Sequence, residues 1–257
     1  MIPHATIGEG PPLVYLPGLS PSHEPPSGME NRFVVGGLRK PYAGLTVHWI
    51  GRPTGLSEGM TMVDLASATA DELRRRFDGP VPVLGTSTGG CLALQLAADH
   101  LDVVSKLAVH VGACRLDADG KRVQREVAAL VRAGRWRESY RVTAEALAPP
   151  GLEQRALGAL LWLAGPVLVG APDDPTDMLV TVEAEDRFDL CDRLGEIRAP
   201  TLIAAGDADR FYGDEIRRTA DRISDARLVV APGKGHLGAA IDKELIREIR
   251  AFVLSGD

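Results

Sequence analysis

Residues 85–90 read Gly-Thr-Ser-Thr-Gly-Gly, after the apolar run Val81-Pro82-Val83-Leu84 and before Cys91-Leu92-Ala93-Leu94-Gln95-Leu96-Ala97-Ala98. A Gly-x-Ser-x-Gly segment is thereby set where a buried strand turns sharply into a buried helix. Such a turn strains the serine backbone, and glycines at 85, 89 and 90 remove the side-chain clashes it would create. The hydroxyl rises above the sheet, beside a helix N-terminus that favours developing negative charge. Ser87 is the candidate nucleophile; the competing reading is an ordinary glycine-rich strand-to-helix turn.

A serine hydroxyl needs a base at neutral pH. The chain has six histidines: His4, His23, His48, His100, His110 and His236. His110 lies in the apolar run Leu107-Ala108-Val109-His110-Val111 and reads as a strand residue, and His23 reads as a solvated loop residue. His236 ends the segment Ala231-Pro232-Gly233-Lys234-Gly235-His236, after the strand-like Arg227-Leu228-Val229-Val230. A loop at a strand end lets an imidazole reach a site above the sheet, so His236 is the candidate base. Upstream, Pro200-Thr201-Leu202-Ile203-Ala204-Ala205 reads as a buried strand ending in Gly206-Asp207-Ala208-Asp209. Either aspartate could hold the His236 ring in its working tautomer; spacing alone does not separate them.

These segments, in the order Ser, Asp, His, resemble the signature segments of the alpha/beta hydrolase superfamily. Leu13-Val14-Tyr15-Leu16-Pro17-Gly18-Leu19 resembles the first long strand of that family and its oxyanion turn, with Pro17 where a histidine is usual. The resemblance covers nearly the whole chain. It implies an α/β fold with a mostly parallel central sheet flanked by helices and a helical cap insertion. It implies a catalytic triad of Ser87, Asp209 and His236, because the family acid usually lies three residues after the strand-end glycine. Asp207 is the runner-up, and Asp117 is the nearest residue to the acid position of a family variant. The backbone N–H groups of Leu19 and Thr88 would form the oxyanion hole, with no cofactor and no metal. The fold hosts many chemistries. The implied activity is a serine hydrolase cleaving a carboxylic ester, thioester or lactone of a small, partly apolar substrate through an acyl-enzyme. The alternatives are an acyltransferase using the same triad and a ligand-binding scaffold of low turnover.

At 257 residues the chain is expected to be one domain, or one carrying an insertion. Its 45% hydrophobic and 25% charged content suits a soluble globular enzyme. A formal charge of −6 speaks against nucleic acid as a partner, and Arg74-Arg75-Arg76 reads as a solvated helix end. The amino terminus lacks the charged start and apolar stretch of a signal peptide. Three widely spaced cysteines, Cys91, Cys114 and Cys191, come with no His-Glu-x-x-His or Cys-x-x-Cys motif, and Cys91 reads as a buried apolar filler. The expectation is a cytoplasmic, metal-free protein whose partner is a small-molecule acyl substrate, with no membrane; the sequence does not fix its oligomeric state.

The elements that must hold these residues divide the chain into a core at 1–114 and 188–257 and a helical cap at 115–187. Core strands are predicted near 12–16, 45–50, 81–85, 106–111, 200–205 and 227–231, and helices near 31–39, 61–77, 89–99, 213–223 and 241–254. Too few residues precede the first strong strand for a full amino-terminal hairpin, so the sheet should be trimmed there. Thr61-Met62-Val63-Asp64 resembles a capping box. Cap helices are predicted near 121–133, 135–147, 152–164 and 175–186. The stripe Trp136, Tyr140, Ala144, Leu147 reads as cap core. The uncharged run 156–172, broken by Gly165-Pro166, is too short to span a membrane and reads as a lid helix and loop roofing the site.

Overall fold

Seven strands form one sheet in the computed structural model, which describes residues 2–23 and 35–255. They are β1 (His4–Ile7), β2 (Pro12–Leu16), β3 (Thr46–Ile50), β4 (Val81–Thr86), β5 (Val104–His110), β6 (Thr201–Gly206) and β7 (Ala226–Ala231). The order is β1-β3-β2-β4-β5-β6-β7, with β1 antiparallel to β3 and every other neighbouring pair parallel. β5 and β6 are almost wholly buried, as strands covered on both faces must be. The short β1 is absent from the predicted elements: four residues of mixed polarity at an edge carry little periodic signal. The sheet is trimmed at that edge to this one antiparallel strand.

Core helices follow the strands. α1 (Met62–Arg76) is capped by Thr61, whose hydroxyl accepts from Asp64 N while Asp64 accepts from Thr61 N, the predicted box. α2 (Thr88–Asp99) is buried along nearly its whole length, including Cys91. The helix predicted near 31–39 is helical over 35–39; its first residues lie outside those described. Arg74 pairs with Asp71 and Asp102, while Arg75 and Arg76 pair with Glu72.

Between β5 and β6 run four α-helices: α3 (Ala118–Arg132), α4 (Trp136–Leu147), α5 (Leu152–Leu168) and α6 (Thr176–Arg187). The break expected at Gly165-Pro166 does not occur, because α5 continues to Leu168. Proline lacks the N–H that would reach back to the carbonyl of residue 162. Arg137 supplies the missing donor, bonding the carbonyls of Trp162 (3.0 Å) and Leu163 (2.8 Å). Cys114 and Cys191, which bracket these helices, form a disulfide across a sequence separation of 77. Such bonds are rare in a reducing cytoplasm, so the structure lends the expected compartment no support. Among the described residues, no helix is long and apolar enough to cross a membrane. Beyond β6 come α7 (Glu215–Arg222), α8 (His236–Ala240) and α9 (Lys243–Leu254).

Candidate active site

Ser87 stands between β4 and α2 with φ 55° and ψ −124°, a left-handed conformation rare outside glycine. The neighbouring glycines make this turn possible. A Cβ on Gly85 would lie 2.2 Å from the Gly89 carbonyl oxygen, and one on Gly89 would lie 2.1 Å from that of Leu16. The strained residue is held from both sides, with Ser87 N donating to His110 O (2.9 Å) and Gly90 N donating to Ser87 O (2.7 Å).

His236 opens α8, where sequence reasoning sees only a loop, and its Nε2 lies 3.0 Å from Ser87 Oγ. Its Nδ1 lies 2.7 Å from Asp209 Oδ2. A carboxylate only accepts, so Nδ1–H donates to Asp209 and Nε2 is left free to accept the serine proton. Asp209 is fixed in turn by Phe211 N (2.8 Å) and Tyr212 N (3.2 Å), both donating to Oδ1. The two aspartates are thus separated by geometry: Asp207 turns away and accepts from Gly233 N (2.6 Å). Asp117 caps α3 through Gly120 N (2.7 Å) and does not reach His236 by hydrogen bond. His110 sits in β5 as predicted and bonds Ala239 O in α8 (3.1 Å); burial pulls its pKa down to about 4, so the ring is neutral.

The turn after β2 is clamped by a residue that sequence reasoning passes over. Arg52 is buried and donates to the carbonyls of Pro17 and Gly18, at 3.0 Å each. In a trans peptide C=O and N–H point in opposite directions. Holding Gly18 O toward Arg52 therefore turns Leu19 N–H the other way. Thr88 is the first residue of α2, a position whose N–H has no acceptor within the helix. Gly18, Leu19, Ser87, Thr88 and His236 all line one cavity. Burial lowers the Arg52 pKa to about 10, which leaves it charged at neutral pH. His23 is buried rather than solvated: its Nδ1 bonds Pro53 O (2.8 Å) and its Nε2 accepts from Arg52 Nε (3.1 Å). Burial first and the Arg52 charge second hold its pKa near 4.

A second buried carboxylate completes the surroundings. Glu185, on α6, is fully buried and accepts from Thr88 Oγ1 (2.9 Å), Gln124 Nε2 (2.8 Å) and Tyr212 OH (2.7 Å). Neither Glu185 nor Gln124 is a candidate from motifs. A signal exists, however: Met178, Thr181, Val182 and Glu185 share a buried stripe of α6, as Gly120, Val123, Gln124 and Val127 share one of α3. A polar residue standing in an apolar stripe must be paired when buried.

The cavity holds about 300 Å³ and its other walls are mostly apolar. Val123 and Val127 of α3, Tyr140 and Leu147 of α4, and Met178 and Val182 of α6 contribute. The stripe on α4 is thus more than packing, since Tyr140 and Leu147 face the cavity. Of the α5 residues expected to roof it, Leu161 does so, whereas Leu160, Trp162 and Leu163 are exposed. Among the described residues, one group of His, Cys, Asp and Glu ligand atoms is close enough to hold a metal, Cys114, Cys191 and Glu215. Its two sulfurs are bonded to each other.

Comparison with known proteins gives a family model described as the alpha/beta hydrolase family, matching residues 13–244. Pimeloyl-[acyl-carrier protein] methyl ester esterase of Neisseria meningitidis serogroup B is 29% identical over 185 residues, 67% of this chain and 68% of that protein. Among solved structures, an alpha/beta hydrolase enzyme from a Medee basin deep-sea metagenome library superposes with TM-score 0.82 at 16% identity, over 100% of this chain and 95% of that one. The enol-lactonase from Burkholderia xenovorans LB400 superposes with TM-score 0.77 at 18% identity, over 99% and 96%.

Proposed function

The chain belongs to the alpha/beta hydrolase family, and from that premise we propose that it hydrolyses carboxylic esters of small, largely apolar substrates through a serine acyl-enzyme. The observation that carries this reading is the continuous line from Asp209 Oδ2 through both ring nitrogens of His236 to Ser87 Oγ, with contacts of 2.7 and 3.0 Å. Ser87 Oγ attacks the carbonyl carbon while His236 Nε2 takes its proton. The Leu19 and Thr88 N–H groups receive the oxyanion, and Asp209 stabilises the imidazolium. The carbon–oxygen bond to the leaving alcohol breaks, and the alcohol departs with the His236 proton. Water then attacks the acyl carbon, giving its proton to the same nitrogen; the bond from that carbon to Ser87 Oγ breaks, Oγ takes the proton back from His236, and the acid is released.

The esterase and lactonase named among the relatives support ester bonds over amides. A volume of about 300 Å³ is at the small end of ligand sites and suits a compact substrate. The helices at 118–187 act as a cap that supplies apolar walls around the acyl group. Hydrolysis of a 4-nitrophenyl ester series from acetate to laurate tests the reading. Wild-type turnover with a short-chain optimum is expected, falling about a millionfold in Ser87→Ala, as loss of a triad nucleophile does elsewhere. Turnover that survives in Ser87→Ala refutes the assignment. Faster product formation with an added alcohol or thiol acceptor would mark an acyltransferase instead.

A further inference from the structure

A surface helix normally turns its apolar stripe inward and its charges outward, and α5 does the reverse. Its buried residues are two glycines: Gly158 lies against Arg141 and Ala144 of α4, and Gly165 against Tyr140. The outward side carries Leu152 (83% exposed), Ala156, Ala159, Leu160 (53%), Leu163 (63%) and Val167 (83%), with no charge among them. These six residues expose on the order of 600 Å², whereas monomers rarely show a contiguous apolar patch above a few hundred. Two such faces together reach about 1,200 Å², the size at which specific interfaces begin.

The centre of the stripe is Leu152-Ala156-Ala159-Leu163, spaced four, three and four residues apart. That is the seam along which one helix packs on another. Read backwards, both the spacing and the residue types are unchanged, and a two-fold interface requires a self-complementary patch of this kind. We propose that α5 is a dimer interface, across which a second copy of the chain packs its own α5 antiparallel. The two-fold axis passes near Leu157 and Gly158. Leu152 then lies beside the partner's Leu163, and Ala156 beside the partner's Ala159. The alanines let the helix axes approach, and the leucines fill both ends. Arg155 and Trp162 border one side of the seam, and the two-fold brings that side against itself. Arg155 thereby comes alongside the partner's Trp162, whose ring carries Arg137 of its own chain at 5.4 Å. A formal charge of −6 opposes an anionic lipid surface as the occupant. On the side of α5 away from the seam, Leu161 lines the cavity, so the second copy braces a wall of the site.

Sedimentation velocity of the full chain from about 0.5 to 50 μM tests the proposal. Twice the mass of one chain is expected at the upper end. Leu163→Glu and Leu152→Lys each alter the interface twice, and each should weaken the dimer about a hundredfold. Combining them sets opposite charges in both end layers, and the double variant should dimerise more tightly than either single one. Circular dichroism of the variants, expected to match wild type, separates a lost contact from a lost fold. A single-chain mass for wild type at every concentration overturns the proposal, whether the protein stays free or sediments with added phosphatidylcholine vesicles. So does a dimer that Leu163→Glu leaves intact, or a double variant no tighter than the single ones. The readout is mass, so a failure of the ester reading would leave this result standing.

Discussion

Two buried carboxylates flank the site, and they serve it differently. Asp209 comes from the loop after β6, accepts two backbone N–H groups and aims its second oxygen at His236. Glu185 comes from the last turn of the four-helix segment and accepts from side chains on three separate elements. Tyr212 joins them, its N–H on Asp209 and its hydroxyl on Glu185. The core carboxylate is directed at the candidate base His236. The carboxylate from the helical segment is directed at the wall around that group, so it couples the position of α6 to the shape of the cavity.

The largest separation between the two should come from Asp209→Asn. An amide keeps the shape and can still accept from Phe211 N and Tyr212 N, but it no longer forces the His236 tautomer. kcat on a good ester is expected to fall by about ten-thousandfold, with little change in thermal midpoint. A loss under tenfold would remove Asp209 from the mechanism. Arg52→Met should come next. Freeing the Pro17 and Gly18 carbonyls loosens the turn that aims Leu19 N–H, and a misplaced oxyanion donor is worth up to a hundredfold or more. The expected signature is a kcat loss of about that size at nearly constant KM, partly restored in Arg52→Lys; a rise in KM alone would make Arg52 a substrate contact.

Glu185→Leu inverts the pattern. It leaves the Thr88, Gln124 and Tyr212 donors buried without their acceptor, at about 1–3 kcal/mol for each group left unpaired. For a chain of this size that lowers the melting midpoint by roughly 10 °C. Stability falls first and rate only secondarily. A variant as stable as wild type would mean that the helical segment does not rest on Glu185.

What the sequence reveals follows the same division. Ser87, His236 and their acid lie at strand ends, where chain order and turn chemistry restrict the possibilities. Even there, Asp209 is preferred to Asp207 by resemblance, and the physical reason appears only when Asp207 is seen bonded to Gly233 N. α8 escapes notice because five residues containing Gly238 carry no helical signal; it is anchored by His110, from a distant strand. The course of α5 past Pro166 depends on Arg137, on another helix. Glu185 is one of three acids within 183–186, and only helical phase separates it from Glu183 and Asp186.

A final contrast is between two histidines, one in the sheet and one at the edge of the helical segment. His110 and His23 are both held near pKa 4, chiefly by burial, with the Arg52 charge a further cause at His23. In the unfolded chain each would titrate at 6.5. Between pH 4 and 6.5 the unfolded state therefore binds more protons than the folded one, and unfolding free energy rises with pH. This contribution is complete above 6.5 and is lost as pH falls toward 4. Urea titrations at pH 5.0, 5.5, 6.0 and 7.5 and constant ionic strength should show proton uptake on unfolding approaching two at the acid end. His110→Gln keeps a donor for Ala239 O, and His23→Asn keeps one for Pro53 O. Each should remove about one proton from the slope. If His23→Asn alone flattens it, His110 charges without unfolding the sheet, and the two regions differ in how firmly they exclude a proton. A flat wild-type profile across this range would show that neither ring is held neutral.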